Sequence, residues 1–245
     1  MCTVSWCPEG DGYTLCFNRD ERLTRAPAEP PAAHQSNGVR YLAPLDGDFG
    51  GTWLAVNEFG LTLGLLNRYG VAGYHVPAEP RSRGLLVLDL IAQPSAREAL
   101  IGLERLDLAR VQPFSLVAIE PGQPARVAAW DGTAITALTH RPAGLLLTSS
   151  SATEPEVAAA RRATFAAAEQ YTPDRLTELH RSHLPERGRR SICMHREEAE
   201  TQSFSRITVA ADQIQLMHTP DAPCRGTELP ALTLARHAIP CPAQH

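Results

Sequence analysis

The chain has no run of the ~18 consecutive apolar residues that a membrane helix needs. Its N-terminus has no basic stretch followed by a long apolar one, so no secretory leader is expected. These two absences make the cytoplasm the expected compartment. There is no excess of positive charge either: 23 Lys and Arg stand against 27 Asp and Glu, for a net charge of −4, and the basic residues are dispersed. A nucleic-acid-binding protein would carry a clustered basic face, so nucleic acid is not an expected partner. The six cysteines, at 2, 7, 16, 193, 224 and 241, form no C-x-x-C pair. Neither a disulfide framework nor a zinc site is indicated, and reduced thiols are expected even for Cys7 and Cys16, which can approach across a hairpin. His180 and His183 have the i, i+3 spacing of a metal pair, but no acidic residue follows at a ligand spacing, and no metal is expected. Gly-rich phosphate loops and the G-x-S-x-G elbow of serine hydrolases are also missing.

What is present begins at the N-terminus. Cys2-Thr3-Val4-Ser5-Trp6-Cys7 reads as a strand, Pro8-Glu9-Gly10-Asp11-Gly12 as a turn, and Tyr13-Thr14-Leu15-Cys16-Phe17-Asn18 as a second strand. Pairing Pro8 with Tyr13 sets Trp6 opposite Leu15, Val4 opposite Phe17 and Cys2 opposite Arg19. Period-two alternation then puts all six on one face. A thiol and a guanidinium share the open end of that face, with Asp20 next along.

Cys2 follows the initiator Met, and its small side chain permits removal of Met1. Cys2 would then carry thiol and free α-amine on one residue. The amine has a reference pKa of ~7.7–8.0 and the thiol ~8.5, so a neutral amine can take the thiol proton. Arg19 is expected to lower the thiol pKa, and Asp20 to orient the amine.

With 245 residues and 43% hydrophobic content the chain can bury one sizeable core, and no linker divides it. The expectation is one domain over residues 1–245, with 225–245 a loosely held tail. The polar run Asn18-Arg19-Asp20-Glu21-Arg22 reads as a solvated loop, and the proline-rich 26–38 as a loop over the mouth of a site. A second hairpin spans 53–67, turning at Asn57 and Gly60 and ending on Asn67. Helices are expected over 85–93, 95–106, 154–170 and 173–183, the second opened by Ser95 with Glu98 at capping-box spacing. Strands are expected over 114–119, 126–130, 134–138, 145–148, 191–195, 203–210 and 213–218. Sheets followed by helices, rather than alternating βαβ units, indicate an α+β fold.

Asn18-Arg19-Asp20-Glu21, with Met1-Cys2 and Gly50-Gly51-Thr52-Trp53-Leu54, resembles the NRDE family, also called the Transport and Golgi organisation 2-like family. Cys193-Met194-His195-Arg196 is similar to a bacterial branch of it. The family in turn resembles N-terminal nucleophile hydrolases, above all the choloylglycine hydrolase and penicillin acylase branch. That resemblance implies a four-layer αββα sandwich of antiparallel sheets, with Cys2 as nucleophile assisted by Arg19 and Asp20. Asn57-Glu58-x-Gly60-Leu61, running to Gly64-Leu65-x-Asn67, is similar to the segment that carries an oxyanion-hole Asn, which implies that role for Asn67. A later Thr-Asn pair of that branch is replaced here by Thr148-Ser149. Asn18, Ser149 and Arg190, the last as counterpart of a late Arg, complete the set as supporting candidates.

Two functions follow from the resemblance. One is a cofactor-free cysteine amidohydrolase acting on a linear, non-peptide amide C–N bond of a small molecule. The other is a binding or trafficking protein on the same fold, taking haem or an acyl lipid, with Cys2 or a His on the iron.

Overall fold

The computed structural model describes residues 2–141, 144, 147–148 and 155–239. Strand pairing starts from the N-terminal hairpin, β1 (Thr3–Glu9) and β2 (Gly12–Arg22). Its register is Pro8 to Tyr13, Trp6 to Leu15 and Val4 to Phe17, as the sequence predicts. The loop is tighter than expected, with Glu9 already opposite Gly12 and Gly10 at φ +54.

Eleven further strands follow among the described residues. They are β3 (Glu29–Ser36), β4 (Val39–Leu45), β5 (Leu54–Asn57), β6 (Thr62–Asn67), β7 (Phe114–Ile119), β8 (Ala125–Trp130), β9 (Ile135–Arg141), β10 (Leu147–Thr148), β11 (Ala199–Val209), β12 (Gln213–Thr219) and β13 (Leu232–Ala235). Four helices accompany them among the described residues: α1 (Gly84–Leu90), α2 (Ala96–Arg105), α3 (Pro155–Ala166) and α4 (Pro173–Arg181). One sheet runs β10-β1-β2-β11-β12-β13, and the other is a meander from β3 to β9 in chain order. Every pairing between these strands is antiparallel.

The two sheets face each other across Val4, Trp6, Leu15 and Phe17 from one side and Leu42, Leu54, Val56, Leu66, Val117 and Ile119 from the other. Helices α1 and α2 cover the outside of the second sheet, where Leu86, Leu90 and Leu103 meet Leu61, Leu63 and Leu116. Helix α4 and the end of α3 cover the first sheet, where Leu176, Leu179 and Phe165 meet Cys7, Cys16 and Phe204. Each fully buried Leu or Phe contributes about 1.5–3 kcal/mol, so three apolar layers between four structural layers hold the αββα sandwich. The α+β expectation is met. No helix among the described residues is long and apolar enough to cross a membrane.

Several expectations are corrected. The polar run 18–22 continues β2, with Asn18, Arg19 and Asp20 all buried, because β11 pairs along it from Arg22 to Tyr13. The proline-rich segment is strand β3, not a loop. It lies at the sheet edge, where proline's missing N–H costs no ladder bond, and turns into β4 through Asn37 (φ +50) and Gly38 (φ +82). Residues 191–195 are not a strand; they form a bend that crosses behind β2. Part of the expected tail, β13, adds a sixth strand to the first sheet. Ser95 does cap α2, its Oγ accepting from the Glu98 N–H at 3.1 Å.

Candidate active site

At the open end of the hairpin the two sheets part around a cavity of about 390 Å³. Cys2 and Arg19 enter it from the first sheet, and Leu65 and Asn67 from β6 in the second. The 47–53 turn supplies Thr52 and Trp53, and the segment before α1 supplies Arg81, Ser82 and Arg83. Two glycines allow this closure: a Cβ on Gly51 would lie 2.7 Å from the backbone of Gly84, so only the bare chain fits there. Thr52 N–H donates to the Gly84 carbonyl across the contact, at 3.1 Å.

Cys2 is half-buried, packing on the inter-sheet core, and its Sγ lies 3.9 Å from the Asp20 carbonyl oxygen. Arg19 stands on the same face, as the register requires. Its guanidinium, however, is engaged elsewhere. It donates to Asp46 Oδ2 at 2.8 Å and stacks over the Trp53 ring at 4.6 Å. The expectation that Arg19 lowers the Cys2 pKa is therefore corrected. Burial pushes the thiol up, and the carboxylates of Asp20 and Glu21 push the same way. A further cation, Arg83, which the sequence did not single out, lines the same cavity as Cys2. Burial lowers its pKa, while Tyr69 and Cys2 act to raise it. Arg83 Nη1 also donates to the Pro113 carbonyl at 3.1 Å.

Asn67 ends β6 in the same cavity, its Nδ2 donating to the Tyr69 hydroxyl at 2.8 Å. An amide carries two N–H donors, so the second is available for a ligand oxygen.

Asp20 faces the other way. Its carboxylate is fully buried, with Oδ2 3.0 Å from Arg161 Nη1 on α3 and Oδ1 accepting from Thr201 Oγ1 at 2.7 Å. Arg161 also donates to Thr3 Oγ1 at 2.8 Å, so the pair abuts the residue after Cys2. Sequence reasoning missed Arg161, which sits in an alanine-rich helix with no local signal. The guanidinium at Asp20 belongs to Arg161 and not to Arg190. Arg190 is half-buried and pairs with Glu186. Asn18 does not reach the cavity either. It is fully buried behind β2, its Nδ2 donating to the carbonyls of His180 (2.9 Å) and Ile192 (3.0 Å). Its Oδ1 lies 2.9 Å from His180 Nδ1, and Ser5 Oγ is 2.9 Å from Nε2. Burial brings His180 down to about 3, so the ring is neutral and purely structural. Ser149 lies outside the described residues.

Among the described residues, the cluster of side chains able to hold a metal lies outside this cavity. The ligating atoms of His183, Cys193, His195 and Cys224 all lie within 4.8 Å of one another. His180, the helix partner of His183, is not among them.

A two-sheet αββα sandwich with a cysteine at the open end of its first hairpin defines the class: the fold is that of N-terminal nucleophile hydrolases. It is similar to a Caenorhabditis elegans N-acylethanolamine-hydrolyzing acid amidase ortholog, at 12% identity over 84% of this chain and 92% of that one, with TM-score 0.60. It is also similar to a variant and a mutant of the conjugated bile acid hydrolase from Clostridium perfringens. The first has 11% identity, all of both chains covered and TM-score 0.55; the second has 12% identity, 94% of this chain and 92% of that one covered, and TM-score 0.54. Residues 1–213 match the Transport and Golgi organisation 2 family, and the chain belongs to it. Transport and Golgi organization protein 2 of Drosophila melanogaster is 33% identical over 145 residues, 52% of this chain and 50% of that one. The chain thus spans about half the length of this curated relative.

Proposed function

We propose that this chain hydrolyses a linear amide C–N bond of a small molecule, with Cys2 as an N-terminal nucleophile after loss of Met1. The observation that carries the reading is the meeting of Cys2 and Asn67, from different sheets, in one cavity of about 390 Å³. That volume lies within the range of small-molecule sites.

The α-nitrogen of Cys2 belongs to the backbone, so it is open to both faces of the sheet. The thiol lies on the cavity face and the Asp20 carboxylate on the other. The raised thiol pKa does not stop the reaction, because the neutral amine takes the proton as Sγ attacks the carbonyl carbon. Asn67 Nδ2 and a backbone N–H hold the developing oxyanion. The C–N bond breaks, the ammonium returns its proton to the leaving amine, and a thioester remains on Cys2. The amine then takes a proton from water, the hydroxide attacks the thioester, and the acid leaves as Sγ is protonated again. Asp20, fixed by Arg161 and Thr201, holds the amine in orientation.

Arg81 and Arg83 at the rim, with Trp53 and Tyr69, suit a substrate that joins an apolar part to an anionic group. The haem or acyl-lipid reading would use the same cavity. No histidine among the described residues lines it, so among them iron ligation would fall to Cys2 or Tyr69. The test is amine release from a panel of N-acyl amines and N-acyl amino acids, run beside a haem titration. Turnover that disappears in Cys2→Ala supports hydrolysis. A shifted Soret band at one equivalent of haem, with no amine released from any amide, would replace it with the binding reading.

A further inference from the structure

Three segments converge at the end of α4: the residues just after the helix, the bend 191–195, and the turn after β12. Each brings a soft or borderline ligand. His183 follows the helix, Cys193 and His195 sit in the bend, and Cys224 lies in the turn closed by Arg225 and Gly226 N–H groups donating to the Ala222 carbonyl.

The distances around His195 are those of a coordination shell. His195 Nε2 lies 3.3 Å from His183 Nε2, 3.6 Å from Cys193 Sγ and 3.5 Å from Cys224 Sγ. One imidazole nitrogen has either one N–H or one lone pair, so it cannot satisfy three partners by hydrogen bonding. A tetrahedral zinc with Zn–N of about 2.05 Å and Zn–S of about 2.3 Å requires N···N edges of about 3.3 Å and N···S edges of about 3.6 Å. The three edges that meet at His195 Nε2 match, and all four ligating atoms lie within 4.8 Å of one another. The outer shell fits as well. His195 Nδ1 is 3.3 Å from Glu200 Oε2, the carboxylate–histidine pairing that fixes the tautomer of a metal-bound imidazole. Arg225, next to Cys224, holds Glu200 through two N–H donors at 2.9 and 2.6 Å.

We propose that His183, Cys193, His195 and Cys224 form a closed Cys₂His₂ site for a structural zinc ion. Four protein ligands leave no open position, and the ion does no chemistry at Cys2. Its effect is to staple the bend to the wall behind β2. Ile192 carbonyl accepts from Asn18, and Met194 N–H donates to Thr201 Oγ1, whose own proton goes to Asp20. Loss of the ion would therefore loosen the groups that hold Asn18 and Asp20.

The test uses the full chain, without a histidine tag, produced in zinc-supplemented medium. Metal content is measured after gel filtration in chelator-treated buffer. About one zinc per chain is expected. Cys224→Ser, at an exposed position, and His183→Ala should each lower retained zinc at least tenfold, and Glu200→Gln should weaken zinc binding by about 10–100-fold. His75→Ala, at an exposed histidine elsewhere, should retain the metal. Cobalt substitution should give the visible bands of a tetrahedral ion with thiolate charge transfer. Protein that takes up neither ion, a Cys193–Cys224 disulfide in the protein as isolated, or unchanged zinc in Cys224→Ser would each overturn the site. These readouts do not depend on amide turnover.

Discussion

Arg161 Nη1 and Asp20 Oδ2 meet 3.0 Å apart with both side chains fully buried, joining α3 to β2 beside Thr3 of β1. Removing one partner of such a pair leaves a buried charge uncompensated, at a cost of about 3–5 kcal/mol. Arg161→Met should therefore destabilise the fold by about that amount in urea denaturation. Arg161→Met with Asp20→Asn should be less destabilised than the single variant, because the carboxylate charge is removed together with its guanidinium. A single-variant loss below about 1 kcal/mol would show that the pair is not formed.

His180 sets a pH dependence. Burial between Asn18 and Ser5 brings it from 6.5 to about 3 in the folded chain. The unfolded chain binds a proton below about 6.5 that the native state refuses, so stability rises with pH across this window. It is fully present above about 6.5 and falls by up to about 1.4 kcal/mol per unit as pH drops towards about 3. Denaturation midpoints measured from pH 7 to 4 should show this slope, and His180→Gln should flatten it. An unchanged slope in the variant would assign the effect to other groups.

Cys2 should alkylate slowly for an accessible thiol. With its pKa raised by burial, iodoacetamide labelling at pH 7 should be slower than that of glutathione, and should climb roughly tenfold per pH unit. Arg19→Ala should change the rate by less than about threefold, since Asp46 and Trp53 already hold that guanidinium. Arg83→Ala should slow it by about tenfold, one pKa unit. The reverse ranking would restore Arg19 as the thiolate's partner.

Asn67→Ala should leave substrate binding nearly intact and lower kcat by about 10²–10³, the cost of one oxyanion donor. Tyr69→Phe, which frees the Asn67 amide from its present partner, should alter kcat far less. A raised KM with unchanged kcat in Asn67→Ala would make the residue a ground-state contact instead.

The hairpin was legible because antiparallel pairing needs only one register to place every side chain, and Pro8 opposite Tyr13 supplies it. From that count alone Cys2 and Arg19 share a face, which the structure bears out. The burial of Asn18 and Asp20 was not legible, because a run of five polar residues looks solvated until its partners are known. Those partners, Arg161, His180, Ile192 and Thr201, lie 141 to 181 residues away. His183, Cys193, His195 and Cys224 likewise have no local spacing in common; only the packing of three segments brings them together. Strand β3 was misread for a different reason. Its prolines, with Asn37 and Gly38, read as a loop, although an edge strand accommodates proline and Asn-Gly closes a hairpin.

The central claim is that Cys2, with its own amine as base, forms the acyl-enzyme. Intact-mass measurement after brief exposure to a reactive N-acyl amide tests it most directly. The account predicts a chain lacking Met1 and carrying one acyl group, mapped to the Cys2 peptide and released by hydroxylamine. A chain that keeps Met1 throughout, or an acyl group on any residue other than Cys2, would contradict it.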